Sequence, residues 1–263
     1  MSYQFLTIER QGGVERVTLN RPDVRNAFNE QVIAELAEWA GRAREDKKLR
    51  VVVFAGAGKV FSAGADAAWM AKMAAYSHDD NVRDARAGAA MFLAINTIPA
   101  IVIGRIQGAA LGGGSGLAAV CDIVVAADDA IFGFTETKLG ILPAMISPYV
   151  LQKIGASAAR DLFLTGRRFD ANKAREIGLV HEVVAAADLD AAVDRFVNEA
   201  LSASPTAVAR SKGLIQSVLA KPPGEVIGIT ADAIAAQRVS PEGQEGLKAF
   251  LEKRPPAWTN KGA

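Results

Sequence analysis

The sequence is poor in cysteine and histidine, with one cysteine and two histidines among 263 residues. A single cysteine can form neither an intramolecular disulfide nor a cysteine-based metal site. Cys121 lies in the apolar run AAVCDIVVA, so we expect a buried, unreactive thiol. His78 and His181 are interpreted as surface or structural residues. Ser115 fails the G-x-S-x-G nucleophile motif because Leu117 occupies the last position, and a Ser-His triad is not expected.

Neither sign of charge is in excess. Thirty Lys and Arg residues balance 29 Asp and Glu residues, which gives a formal net charge of +1. Without a broad electrostatic field, we expect no nucleic-acid partner and no membrane partner. No apolar run reaches the ~20 residues of a membrane span, and the first residues alternate like a strand rather than forming a leader. The sequence therefore predicts a cytoplasmic protein.

Motifs for phosphate and metal binding are also missing. The chain contains no G-x-x-x-x-G-K-[ST], and the stretch Gly112–Gly116 does not match G-x-G-x-x-G. The acidic pairs Asp79-Asp80 and Asp128-Asp129 are interpreted as solvated turns. We expect no metal site.

The apolar pattern predicts a layered α/β core followed by helices. Asn29 is expected to cap a helix over residues 30–44, and the continuous apolar run at 51–54 predicts a strand covered on both faces. Other strands are expected over 5–10, 14–19, 101–106, 123–126 and 130–134, with helices over 79–96 and from LGGGSG onward. After about residue 147 we expect Ala-rich helices over 156–164, 171–177, 189–201, 206–219, 224–238 and 241–252.

Two glycine-rich turns are the strongest local signal for chemistry. FSAGAD at 61–66 and GGGSG at 112–116 each connect a strand to a helix. Amides at such turns lack backbone partners, and the helix dipole adds partial positive charge, which suits a developing oxyanion. The alternative is that the glycines only permit tight packing and positive φ.

Glu136 is the candidate acid or base. It lies in FGFTETKLGILP, among large apolar residues, where burial would raise its pKa toward the range useful for proton transfer. The alternative is a surface pair of Glu136 with Lys138.

Three stretches, FSAGAD, IQGAALGGGSGLAAVCDIVVAADDAIFGFTETKLGI and LTGRRFDANKAREIGLVHEVV, closely resemble the crotonase, or enoyl-CoA hydratase/isomerase, superfamily. The resemblance runs from NRPDVRNAFN to EGLKAFLEKRPP. It implies the ClpP/crotonase-like α/β fold, a spiral of ββα units with a C-terminal helical trimerisation region, assembled as a trimer or dimer of trimers. We therefore expect a core with the active site over residues 1–200 and an oligomerisation region over 201–263.

The same resemblance implies an acyl-CoA substrate, of which coenzyme A is a part, and no separate cofactor. It implies that the Ala65 and Gly113 amides form an oxyanion hole for the thioester. Glu136 matches the family's second catalytic glutamate, whereas Gly116 stands at the position of the first. Either Glu136 works alone or another group helps it, and Glu136 is expected to deprotonate water for attack on C3 and to return a proton to C2.

Finer details, including ADAAWM, Gly116 and LPAMISPY, resemble the branch that hydrates methylglutaconyl-CoA or isohexenylglutaconyl-CoA. Both substrates are β-branched and carry a distal carboxylate. Gly116 is expected to leave volume for the branch and to remove a negative charge. Arg25 and, by resemblance, Lys253 are expected to bind CoA phosphates. The other expected substrate contacts are Ala63, Asp66, Ala67, Ala68, Trp69, Gly112, Gly116 and Leu142.

Two alternatives remain open from the sequence. One glutamate suits an enoyl-CoA isomerase as well as it suits a hydratase. The same scaffold could also serve a non-catalytic protein that binds CoA esters or RNA, since fold does not fix function.

Overall fold

The computed structural model describes residues 3–259, so residues 260–263 of the expected C-terminal region lie outside the described range. The strands are β1 (Leu6–Gln11), β2 (Val14–Leu19), β3 (Val51–Gly56), β4 (Ile101–Ile106), β5 (Ala109–Leu111), β6 (Ile123–Ala127), β7 (Ile131–Gly133), β8 (Arg168–Asp170) and β9 (Glu182–Val184). The α-helices are α1 (Glu30–Glu45), α2 (Ala67–Ala74), α3 (His78–Asn96), α4 (Gly113–Val120), α5 (Ser147–Thr165), α6 (Ala171–Glu176), α7 (Leu189–Ser202), α8 (Pro205–Val218), α9 (Ile227–Arg238) and α10 (Pro241–Leu251). Short 3₁₀ helices occupy Pro22–Val24, Glu136–Leu139, Pro223–Val226, Ala186–Asp188 and Ala257–Thr259.

Six strands form the main sheet in the order β1-β2-β3-β4-β6-β9. β1 and β2 are antiparallel and are joined at Gly12, whose φ of +57° suits the tight turn. The later neighbours are parallel. The helices between the parallel strands provide the crossover connections that this arrangement needs.

The apolar run in β3 divides its side chains between two cores. Val52 and Phe54 belong to the larger cluster, together with residues of α1, α3 and α4. Val51 and Val53 face the other way and pack with Val193 of α7. The prediction of a strand covered on both faces is confirmed.

A second, smaller sheet has the order β5-β7-β8. β5 and β7 are parallel, and β8 is antiparallel to β7. It is tied to the start of α4, since the Gly112 amide donates to the Gly133 carbonyl at 2.8 Å. β8 and β9 lie in the part of the chain where only helices were expected, and each has three residues. Runs that short carry too little alternation to be recognised by periodicity.

The predicted helix starts are mostly confirmed. The Asn29 side chain caps α1 by accepting from the Val32 amide at 2.9 Å. α3 begins at His78 with a capping box between Ser77 and Asp80. α5 contains a break at Gly155, whose φ of +69° and ψ of 168° are not helical.

Helices α8, α9 and α10 pack on one another at the end of the described chain. α8 and α9 bury none of their residues in this single chain. Large apolar side chains remain exposed here, namely Ile215, Leu219, Ile227, Ile229, Ile234, Val239, Leu247, Phe250 and Leu251. None of the helices over residues 3–259 is both long and apolar enough to cross a membrane.

The few cysteine and histidine side chains have structural or surface positions, as predicted. Burial raises the pKa of the Cys121 thiol to about 12. His181 Nδ1 accepts from the Val124 amide at 3.0 Å, and burial lowers the pKa of its ring. His78 lies at the exposed start of α3, beside Asp79.

Candidate active site

The two glycine-rich turns lie side by side. The Leu111 amide donates to the Ser62 carbonyl, and the Ser62 amide donates to the Ala109 carbonyl, both at 3.0 Å. Gly64 has a φ of +90°, and a Cβ there would lie 2.9 Å from the Leu111 oxygen. Glycine is required at position 64 because a side chain would separate the two turns.

Two residues of these turns line the cavity described below and have a backbone amide without a partner among the described residues. The Ala65 amide and the Gly113 amide donate no hydrogen bond to any residue between 3 and 259. Gly113 is the first residue of α4, so the helix dipole adds partial positive charge to its amide. Both residues line the same cavity. They meet the basic requirement for an oxyanion hole, which is two free donors at one place.

Ser115 braces the second turn instead of acting as a nucleophile. Its Oγ donates to the Ala110 carbonyl at 2.6 Å and accepts from the Gly133 amide at 3.3 Å. The residue is fully buried. Ser115 therefore fixes α4 against β5 and β7, which carry the two sides of the site.

Glu136 reaches the second turn from the 3₁₀ helix that follows β7. Its Oε1 would lie only 3.4 Å from a Cβ on Gly112, whose φ is +50°. Its Oε2 is buried and accepts no hydrogen bond from the described residues. Burial raises the pKa of Glu136. A buried, unpartnered carboxylate oxygen is costly, which indicates a functional requirement for Glu136 at this place.

The cavity beside these groups has a volume of about 220 Å³. Among the described residues that line it, Glu136 is the only one with an ionisable carboxylate or basic side chain. The remaining wall is mostly apolar, with Phe28, Met91, Phe92 and Ile146 among its members. The site therefore offers one acid or base, two free amides and a mostly apolar space.

Several of the sequence-predicted residues meet at this cavity. Glu136, Ala65 and Gly113 line it together with Ala63, Trp69, Gly112 and Leu142. Trp69 is 5% exposed, and its indole Nε1 donates to Asp84 Oδ1 at 3.3 Å. Leu142 is 74% exposed, which places it at the rim.

Other predicted residues do not line the cavity. Asp66 caps α2 by accepting from the Ala68 and Trp69 amides, and it pairs with Arg21 at 2.8 Å. Burial acts to raise the pKa of Asp66, but the Arg21 guanidinium and the two amides outweigh it and lower the pKa. Ala67 and Ala68 are exposed on the first turn of α2.

The two cations predicted for CoA both have exposed side chains, and neither lines the cavity. Arg25 has a φ of +57°, and its carbonyl accepts from the Ala63 amide at 2.9 Å. That bond places it directly behind the first glycine-rich turn. Lys253 has a φ of +54° and follows α10, at the opposite end of the sequence.

The expectation that Gly116 leaves open volume is wrong. A Cβ at position 116 would overlap Cγ2 of Ile146 and would lie 2.9 Å from its Cβ and 3.2 Å from Phe92 Cζ. Ile146 is 2% exposed and lines the cavity. The space that glycine leaves is occupied by this isoleucine, and not by the cavity.

The sequence interpretation missed several lining residues. Phe28 bridges to the first turn, with its amide donating to Gly64 and its carbonyl accepting from Asp66. Its ring also packs on Gly113. Phe28 lies in the loop NRPDVRNAFN, where no periodicity indicates what a side chain will contact.

Comparison with known proteins gives the family. The enoyl-CoA hydratase/isomerase family model matches residues 9–261. A Mycobacterium tuberculosis protein named "Probable enoyl-CoA hydratase echA8" is 34% identical over 262 residues, which cover 99% of this chain and 100% of that protein. An enoyl-CoA hydratase structure from Shewanella pealeana has a TM-score of 0.94 and 40% identity, covering 97% of this chain and 96% of that chain. An enoyl-CoA hydratase/isomerase structure from Marinobacter aquaeolei has a TM-score of 0.92 and 36% identity, covering 98% and 100%. This chain therefore belongs to the enoyl-CoA hydratase/isomerase family of the crotonase superfamily.

Proposed function

We propose that the protein is an enoyl-CoA hydratase, which adds water across the 2,3-double bond of an acyl-CoA thioester. The observation that carries this proposal is the unpartnered Glu136 Oε2 in a cavity that also contains the free Ala65 and Gly113 amides. The names of the relatives agree with this activity. The substrate supplies coenzyme A, and the reaction uses no other cofactor.

The reaction starts from a thioester whose carbonyl oxygen accepts from both free amides. Glu136 takes a proton from water as the water oxygen bonds to C3. The electron pair of the double bond moves toward the thioester, and the amides stabilise the negative oxygen of the enolate. Glu136 then returns the proton to C2, so the carboxylate is regenerated and one water has been added.

The Glu136→Gln variant tests this role. Glutamine keeps the shape of the side chain but removes the base, so kcat on crotonyl-CoA should fall at least ~100-fold. Binding of the thioester should persist, because the two amides are unchanged. Loss of the enoyl absorbance measures the rate. Hydration close to the wild-type rate in Glu136→Gln would exclude Glu136 as the base.

Isomerisation is the second candidate, and the single ionisable group of the cavity favours it. An isomerase needs one carboxylate to move a proton between C2 and C4, and no second group to hold water. A reaction in ¹⁸O-labelled water separates the two activities. A hydratase incorporates the label at C3, whereas an isomerase yields the shifted double bond without label.

For the finer substrate assignment we propose a β-branched glutaconyl-type thioester, 3-methylglutaconyl-CoA. Its distal carboxylate must leave the apolar cavity, because no cation lines that space among the described residues. Lys138 and Arg168 line an adjoining groove that shares Thr135 and Leu139 with the cavity. These two side chains are suitable partners for the carboxylate.

The matched substrate 3-methylcrotonyl-CoA has the same branch without the carboxylate. We expect a higher kcat/KM for 3-methylglutaconyl-CoA, and a preference that falls about tenfold or more in Lys138→Ala/Arg168→Ala, as for loss of a charged hydrogen bond. Equal use of both thioesters by the wild-type protein would reject the glutaconyl assignment while leaving the hydratase assignment in place.

We also propose that α8, α9 and α10 mediate self-association into a trimer or a dimer of trimers. Their exposed apolar side chains support this, since contiguous apolar surfaces of this kind mark interaction sites. Sedimentation at micromolar concentration tests the proposal, and a stable monomer would reject it.

A further inference from the structure

The methionines that the structure describes are concentrated at one place. The described residues contain four, Met70, Met73, Met91 and Met145, and all four line the active-site cavity. The cavity is lined by a small minority of the chain, so a random distribution would not place all four there. This clustering indicates that the cavity uses a property of methionine that leucine and isoleucine lack.

The four side chains come from three separate segments. Met70 and Met73 are three residues apart on α2, so they share one face of that helix. Met91 belongs to α3 and is 1% exposed. Met145 lies in the segment that precedes α5. We call these four side chains the methionine wall.

The contact between Met145 and Gly88 is one detail of this wall. Gly88 lies on α3, three residues before Met91, and also lines the cavity. A Cβ at Gly88 would lie 2.6 Å from Met145 Sδ. The thioether therefore occupies space that exists only because residue 88 has no side chain. Movement of Met145 would open that space to a ligand.

The chemical end of the cavity is built differently. There the walls are the backbone of the two glycine-rich turns, held by main-chain bonds and by Ser115. The methionine wall has unbranched side chains with three rotatable bonds and a polarisable sulfur, which can fill irregular gaps and change shape at low cost. β-branched side chains would be fixed at χ1.

The size of the cavity makes this difference relevant. About 220 Å³ is below the ~300–1,000 Å³ of typical ligand pockets. A longer apolar acyl chain stays buried only if part of the wall moves, because otherwise its end must leave through the rim into water. α2 can contribute to such movement, because Trp69 is its only buried residue.

We propose that the methionine wall is an adaptable specificity element, which admits apolar enoyl chains of different length and branching while the thioester and the double bond stay fixed at Glu136. This proposal rests on the hydratase activity and names the acyl class that the site accepts. The contacts to the thioester do not change with the length of the acyl chain. Selectivity among apolar acyl chains of different length is therefore low and is set by the mobility of the four thioethers, whereas the distal carboxylate of the proposed substrate is bound outside the cavity, at Lys138 and Arg168.

The first test compares substrates. The wild-type kcat/KM for 2-octenoyl-CoA should lie within about tenfold of that for crotonyl-CoA, which is less than the discrimination that a rigid pocket of this size imposes on added methylenes. The matched variants are Met73→Leu/Met145→Leu and Met73→Ile/Met145→Ile, because leucine and isoleucine have equal volume and only isoleucine is β-branched. The octenoyl-to-crotonyl ratio should fall about tenfold or more in the isoleucine variant relative to the leucine variant. Leu164→Ile on α5 is the control, because it introduces the same β-branched side chain outside the cavity. It should leave the octenoyl-to-crotonyl ratio unchanged.

A second measurement needs no variant and no turnover. Methyl-¹³C methionine NMR with butyryl-CoA and octanoyl-CoA, saturated thioesters that keep the carbonyl and have no double bond to hydrate, should give different methyl shifts for the two ligands at all four wall residues. Identical methyl positions with both ligands, or equal ratios in the leucine and isoleucine variants, would overturn the proposal while leaving hydration of crotonyl-CoA intact. Failure of octanoyl-CoA alone to bind would overturn this proposal, whereas failure of both thioesters to bind would overturn the proposed function together with it.

Discussion

Gly116→Ala tests whether Ile146 fills the space beside α4. The added methyl group would overlap Cγ2 of Ile146 and would lie 2.9 Å from its Cβ, where ordinary contacts need more than 3.4 Å. Phe92 Cζ, at 3.2 Å, is also closer than an ordinary contact. The new methyl group therefore cannot be accepted without displacing Ile146 or α4.

The size of the effect follows from two opposing contributions. Overpacking of this kind costs up to about 3 kcal/mol. The change from glycine to alanine inside a helix returns about 1 kcal/mol of helix propensity. The net loss of unfolding free energy should be about 2 kcal/mol, which corresponds to a fall in Tm of about 4–8 °C for a chain of this length.

A double-mutant cycle makes the prediction specific to Ile146. Ile146→Ala alone should cost about 2–5 kcal/mol, because it leaves a cavity. Gly116→Ala in that background should then be close to neutral or stabilising, which gives a coupling of about 1–3 kcal/mol. Urea denaturation of the four proteins measures each value. The packing argument would be refuted if Gly116→Ala left the free energy of unfolding of the wild type unchanged. It would also be refuted if Gly116→Ala lowered that free energy equally in the wild-type and Ile146→Ala backgrounds.

Three further predictions concern charged groups. Burial raises the folded-state pKa of Glu136, so the charged form of this side chain destabilises the fold. The wild type should therefore lose stability relative to Glu136→Gln as the pH rises from the ordinary glutamate pKa through the raised one, and the two proteins should become similar in acid. Urea titration at several pH values measures this difference. Asp66→Ala should cost about 1 kcal/mol through loss of the α2 cap, whereas Asp66→Asn should cost less because asparagine also caps. Arg25→Ala and Lys253→Ala should raise KM for CoA thioesters more than they lower kcat, with a penalty that shrinks as salt rises; an unchanged KM in both would remove them from the CoA site.

The sequence predicts most of the core, because burial leaves a repeating pattern. The run at 51–54 can be interpreted as a strand covered on both faces, since no alternate position is polar, and the structure divides those side chains between two cores. Asn29 is recognisable as a cap because a short polar side chain precedes an apolar helical period. Such patterns are local, so they can be recognised in the sequence without knowledge of the tertiary contacts.

The remainder depends on contacts between distant parts of the chain. β8 and β9 are strands because β7 and β6 offer them free edges, and three residues show no period of their own. Periodicity and composition likewise could not show that α2, α3 and the segment before α5 direct their methionines to one space. Clustering of one residue type at a site becomes visible only when the elements are placed.

Gly116 shows how a small residue can lead to a wrong spatial inference. The family resemblance implies a carboxylate at this position, and the sequence has glycine. The absence of a side chain was interpreted as free volume for substrate, whereas the space is taken by Ile146, 30 residues later in the chain. A small residue in a packed interior is normally matched by a larger neighbour, because interiors contain few voids.

The absence of a carboxylate at position 116 has an electrostatic consequence for Glu136. Two carboxylates in one cavity raise each other's pKa, and their protons are released in coupled steps. With Ile146 packed against Gly116, the described lining has no second carboxylate, and the pKa of Glu136 is raised by burial alone. Glu136 is therefore free of the like-charge repulsion that a second carboxylate in the cavity would add. A single base that must be ionised to accept a proton from water benefits from that.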